Sequence, residues 1–92
     1  MLHSLDAEVR LVAEYYGAPV RAVRSGQGHA AARLARDALC WRLVTRYRRT
    51  AERVAALMQT DPEAVSASVA AHQKRIDDFR AQNFLVEAGD AA

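Results

Sequence analysis

Val65, Val69, His72, Ile76 and Phe79 recur at intervals of four, three, four and three residues. That spacing lines up on one face of an α-helix and on no face of a strand. The helix should open at Asp61-Pro62-Glu63, with Thr60 or Asp61 as cap and Pro62 in the first turn. Thr60-x-x-Glu63 has the form of a capping box, and the apolar stripe carries the helix to about Gln82. The same periodicity governs the rest of the chain. Leu5, Val9, Val12 and Tyr16 form a stripe on a first helix, with Ser4 as cap, Asp6 and Glu8 at the positive end of its dipole and Gly17 as its stop. Pro19 starts a short helical turn to about Arg24, and Ser25-Gly26-Gln27-Gly28 reads as a loop.

A longer helix is expected from about His29 to Tyr47. Leu34, Ala38, Trp41 and Thr45 lie on one side of it, while Leu39, Cys40, Leu43 and Tyr47 occupy much of the other. A helix apolar on several sides is covered by its neighbours, so this one is central, with Trp41 as a core anchor. Thr50 caps a fourth helix ending near Met58, and Gln59-Thr60 form a tight turn. Residues 83–86, Asn83-Phe84-Leu85-Val86, are expected to pack back on the bundle, leaving residues 87–92 as a flexible tail. Strand-formers are few, and 92 residues supply one core. The expected fold is therefore all-α: one compact domain over residues 1–86, a bundle of about five helices.

Charge is unevenly spread. Residues 18–58 hold nine arginines against Asp37 and Glu52, a net +7, whereas the flanking stretches are −2 and −3. A basic middle between acidic ends is the pattern of a surface that meets a polyanion, although arginine also serves as an ordinary helix-former. Catalysis has little to build on. His3, His29, His72 and Cys40 show no metal-ligand spacing, Gly26-x-Gly28 is too short for a phosphate loop, and Asp77 and Asp78 diverge on a helix. The expectation is a chain that is not an enzyme and takes no metal or other cofactor. His72 reads as a packed, hydrogen-bonded core histidine, and Cys40 as a small buried hydrophobe. A lone cysteine, no secretion signal and no apolar run of about 20 residues fit a cytoplasmic protein that makes no membrane contact, and the basic middle adds the expectation of nucleoid association.

The most informative unit surrounds Gln59. Val54, Ala55, Met58 and Val65 supply what two helices crossing through a short turn require: an apolar residue, a small one at the close approach, and an apolar residue closing the elbow. Such a helix-turn-helix can rest its second helix in a major groove. The outward face would then be Glu63, Ser66, Ala67, Ala70 and Lys74, with Gln59 and Thr60 in the turn. Of these, Gln59, Thr60, Glu63, Ser66 and Ala67 are placed to read base edges, by hydrogen bonds or by methyl contact with thymine. Arg46, Arg48 and Arg49 precede the first helix of the pair and Arg53 lies on it, beside the phosphate backbone. Backbone amides at Thr50 face a phosphate, Lys74 serves the backbone too, and Arg21 and Arg24 flank the glycine loop within reach of a neighbouring phosphate or the minor groove.

The run Val12-Ala13-Glu14-Tyr15-Tyr16, followed by Val20, Val23 and Ser25, resembles the opening of the C-terminal DNA-binding domain (domain IV) of the bacterial replication initiator DnaA. Ala32-Arg33 and Ala38-Leu39 are similar to that domain's long helix, and Thr50 with Val54-Ala55 to the start of its helix-turn-helix. The resemblance spans roughly residues 8–76. It implies a Trp-repressor-like bundle on duplex DNA, with Arg33 and Arg36 near the DNA, Thr50 at a phosphate and Thr60 to Ser66 at the bases. The chain departs from the family where the signature Gly-x-Arg-Asp-His-Thr-Thr-Val would stand. Here the residues are Gln59-Thr60-Asp61-Pro62-Glu63-Ala64-Val65, keeping an acid and the closing valine. Ninety-two residues leave no room for the initiator's ATPase domain, so the resemblance points to a small transcription regulator, such as the activators of gene-transfer-agent genes. The competing expectation is a helical protein-interaction module without direct DNA binding. In it the last helix and Phe84-Leu85-Val86 dock on RNA polymerase or another regulator, and Glu63 with the acidic C-terminal third keeps phosphates away.

Overall fold

The computed structural model describes residues 4–25 and 29–91, with side chains as far as Asn83. The expected loop at residues 26–28 and the side chains of Phe84, Leu85 and Val86 lie outside what it describes. Five α-helices follow in order: α1 (Leu5–Tyr16), α2 (Val20–Ser25), α3 (Ala30–Trp41), α4 (Ala51–Met58) and α5 (Pro62–Ala91). Among the described residues there is no strand. The α3 helix runs on, without a break, into a π-helical turn over Arg42–Arg46, where the Thr45 hydroxyl donates back to the Trp41 carbonyl at 2.6 Å. The fold is the small all-α bundle that the periodicity predicts.

The core is built around α3. Leu39 is wholly buried and shares one core cluster with Val9 and Val12 from α1, Val23 from α2, Val54 and Met58 from α4, and Val65 from α5. Ala32, Ala35 and Ala38 are buried as well, and their small side chains let the neighbouring helices approach α3 closely. Cys40 is buried among them, and burial pushes its thiol pKa up, as suits a packing residue. Trp41 sits half-buried at the rim of this core rather than at its centre, and its indole N–H donates to Gln73 Oε1 at 2.7 Å. His72 packs against the Trp41 ring at a centroid distance of 5.3 Å. Its Nδ1 is buried without a hydrogen-bond partner among the described residues, which corrects the expectation of a hydrogen-bonded core histidine: the ring is held by packing, tilted 56° against the indole.

Desolvation, followed by the charge of Arg75, holds the His72 pKa below its ordinary value. The unfolded chain therefore takes up this proton before the folded one does. Stability should be complete above the ordinary histidine pKa of about 6.5 and fall as pH drops through it. His72→Leu should flatten that part of a melting-temperature profile between about pH 8 and pH 5. An unchanged slope would place the effect elsewhere.

The helix ends are chemically specified. Gly17 adopts φ 68° and closes α1, with Ala18 N–H donating to Ala13 O at 2.9 Å and Gly17 N–H to Glu14 O at 3.3 Å. This is the Schellman pattern. α4 ends the same way on a non-glycine residue. Gln59 has φ 56°, Thr60 N–H donates to Ala55 O at 2.9 Å, and Gln59 N–H to Ala56 O at 3.4 Å. Asp61, not Thr60, caps α5, its Oδ1 accepting from Ala64 N–H at 2.8 Å. The Thr60–Glu63 capping box is not formed, for a local reason. A residue before proline is driven into the extended region that a cap requires, so Pro62 makes Asp61 the cap. Thr60 is thereby left to finish the α4 turn. The α5 helix continues to Ala91 rather than stopping near Gln82, because no glycine or proline interrupts residues 63–88.

A left-handed residue with a side chain costs on the order of 1 kcal/mol relative to glycine. Gln59→Gly should therefore stabilise the fold by up to about 1 kcal/mol in denaturant unfolding. A loss of stability would mean that the Gln59 side chain carries a packing role.

Candidate nucleic-acid interface

Val54, Ala55 and Met58 of α4 and Val65 of α5 are all buried in the one core cluster. Three residues, Gln59 to Asp61, separate the helices. On α5, Glu63, Ser66, Ala67, Ala70 and Lys74 are all exposed and share one side, opposite the stripe begun by the buried Val65. Gln59 is exposed at the turn, and Thr60 is half-buried with its backbone N–H already engaged. Ser66, Ala67 and Ala70 give the middle of this face small side chains, between Glu63 and Lys74. Lys74 gives part of its charge to Asp78, with Nζ 2.8 Å from Oδ2.

The basic residues divide into two groups. Several of those assigned to the DNA backbone are engaged within the fold. Arg24 pairs with Asp6, and Arg36 donates to the carbonyls of Val23, at 3.1 Å, and Arg24, covering the C-terminal end of α2. Arg75 pairs with Asp37 at 2.8 Å. Arg33 is exposed on the first turn of α3, and Arg21 is exposed on α2. The second group runs from the end of the π turn into the first turn of α4. Arg46, Arg48, Arg49 and Arg53 are all exposed, and among the described residues none of them forms an ion pair. Arg48 is held at φ 56°, and Arg49 N–H reaches back to Leu43 O at 3.0 Å. This sharp exit from the π turn sets the arginines at the start of α4. Thr50 caps that helix, its Oγ1 accepting from Arg53 N–H at 3.1 Å.

Behind this segment lies a residue whose role sequence reasoning missed. Glu8, 4 % exposed, accepts from Arg42 Nε at 2.7 Å through Oε2 and from the Tyr47 hydroxyl at 2.6 Å through Oε1. The bond to Glu8 raises the pKa of Arg42, and it raises that of Tyr47 because the phenol proton is held by the carboxylate. The carboxylate thus ties α1 to both ends of the π turn. A signal was present in the sequence: Glu8 stands three residues after Leu5 and four before Val12, within the apolar stripe.

Among the described residues, no group of three or more histidine, cysteine, aspartate or glutamate side chains is placed to hold a metal ion. Nor is any helix among them long and apolar enough to cross a membrane. No protein-family model, curated protein or solved structure matches the chain.

Proposed function

We propose that this chain binds duplex DNA, with α4 and α5 acting as a helix-turn-helix, and that it regulates transcription. The observation that carries the reading is the run of exposed arginines that form no ion pair among the described residues, Arg46, Arg48, Arg49 and Arg53, at the start of the helix pair. Cations left unpaired next to a short helical elbow suit phosphates on either side of a major groove. In this reading α5 enters the groove with Ser66 and Ala67 foremost, and Gln59, Thr60 and Glu63 at the edge of the base contacts. The small side chains of α5 permit close approach, and hydroxyl and amide groups supply the few directional contacts. The resemblance to the DnaA C-terminal domain supports the same placement for Thr50 and for the turn. Arg24 and Arg36, engaged elsewhere, contribute to the field around the DNA rather than to contacts with it.

A mobility-shift titration on mixed genomic duplexes at several salt concentrations tests the reading. Binding should weaken steeply with salt, as expected when several phosphates are neutralised. Absence of binding at low salt, with the helical circular dichroism intact, would refute it. Selection of bound sites from random duplexes should enrich a short motif if α5 reads bases. Thr60→Ala or Ser66→Ala should then shift that motif rather than weaken all sequences equally.

A further inference from the structure

The apolar stripe of α5 outlasts the body it packs against. Thirty residues make this helix about 45 Å long, and the radius of gyration, 14.8 Å, exceeds the roughly 12 Å of a compact chain of this length. Val65 is buried and Ile76 half-buried, but Phe79, on the same stripe, is 64 % exposed. Asn83, four residues on, continues the stripe and is exposed too. Beside this overhang α1 presents Leu11, 49 % exposed, and Tyr15, 81 % exposed. Together with Tyr16, Trp41, Ile76 and Phe79 they line an open groove of about 820 Å³ between α1 and α5. Arg80 stands on its edge and, among the described residues, has no ion pair.

We infer that this groove is the seat of a second copy of the chain, each copy laying the overhanging end of its α5 antiparallel into the groove of the other. Three observations select this occupant. The four-three spacing of Val65, Val69, His72, Ile76, Phe79 and Asn83 is the seam of a helix that pairs with another helix, and among the described residues its last two members, Phe79 and Asn83, are left exposed. The groove is bounded by two helices and apolar in its floor, as helix-in-groove recognition requires. The charges are complementary: residues 81–92 contain two acids and no base, whereas the groove is edged by Arg80, which has no ion pair among the described residues. Antiparallel pairing brings the acidic end of one α5 to Arg80 at the edge of the other's groove. A parallel pair would instead set Arg75 of one copy against Arg80 of the second across the seam, where like charges repel. The exchange is closed by a two-fold axis and fills both grooves at once. Ser66, Ala67 and Ala70 lie on the opposite side of α5 and remain open. Pairing of the two copies therefore does not depend on the DNA reading.

Sedimentation equilibrium of the full chain from about 1 to 500 μM should show a monomer–dimer equilibrium that weakens with salt. Phe79→Glu and, separately, Tyr15→Glu should each raise the dimer dissociation constant at least about tenfold with unchanged circular dichroism. Both positions are exposed in one copy, so neither change burdens the monomer's core. Mixing Tyr15→Cys chains with Asn83→Cys chains under mild oxidation should give a disulfide-linked pair that neither variant forms alone, since Cys40 is buried. A monomer at every concentration overturns the inference. So does a dimer that survives both glutamate substitutions, or one that yields no mixed disulfide.

Discussion

Glu8→Ala should lower the stability of the fold by about 2–3 kcal/mol in denaturant unfolding, a large share of the roughly 5–10 kcal/mol that holds a domain of this size together. Glu8 is 4 % exposed, and both carboxylate oxygens are engaged, one by Arg42 Nε and one by the Tyr47 hydroxyl. Truncation leaves the Arg42 guanidinium, only 21 % exposed, beside a void where its counter-charge stood. Removing one member of a buried pair commonly costs about 3–5 kcal/mol, and the partial access of Arg42 to water brings the expectation to the lower figure. The midpoint of thermal unfolding should drop by roughly 10–20 °C. Glu8→Gln, which keeps an acceptor for one of the two donors, should lose visibly less. The exposed Arg24–Asp6 pair supplies the contrast, since Asp6→Ala should change stability by no more than about 1 kcal/mol. If Glu8→Ala proves as mild as Asp6→Ala, the carboxylate does not secure the π turn.

Glu8 also marks the limit of what the sequence discloses. Periodicity is a property of one helix, so it locates the stripes of α1 and α5 and the elbow residues Val54, Ala55, Met58 and Val65, all four of which are buried. Cap chemistry is equally local: Ser4, Thr50 and Gly17 stand where the sequence puts them. The choice between Thr60 and Asp61 turns on the backbone restriction that Pro62 imposes, a local rule that the capping-box pattern obscures. Pairings between distant segments are another matter. Glu8 with Arg42, Arg24 with Asp6, Arg36 with the end of α2, and Arg75 with Asp37 depend on how helices cross, and no spacing encodes that. The arginine count therefore overstates the charge free to meet a partner. The surroundings of Trp41 and His72 escape periodicity for the same reason. A stripe identifies the inward face of a helix, but not where along that face the neighbouring helix ends.

The arginines left over after those pairings supply the second large effect. Replacing Arg46 and Arg49 by alanine and Arg48 by glycine should weaken binding to every duplex by about 100-fold near 0.1 M salt. Each phosphate no longer neutralised takes about 0.9 from the slope of log affinity against log salt, so three such phosphates should flatten it by roughly 2–3. Glycine is chosen at Arg48 because that residue sits at φ 56°, where alanine would keep the backbone strain and glycine relieves it. All three side chains are exposed and without ion pairs among the described residues, so melting should not fall, and relief of the backbone at Arg48 should raise it by a few degrees at most. Weaker binding can then be read as a weaker hold on phosphates rather than as damage to the fold. The triple variant should keep the same ranking of duplexes, because phosphates are common to all of them and the α5 face is untouched. An unchanged salt slope would show that these arginines do not touch the backbone. A deficit confined to one sequence would make them readers of bases, reversing the roles assigned here to the loop and to α5.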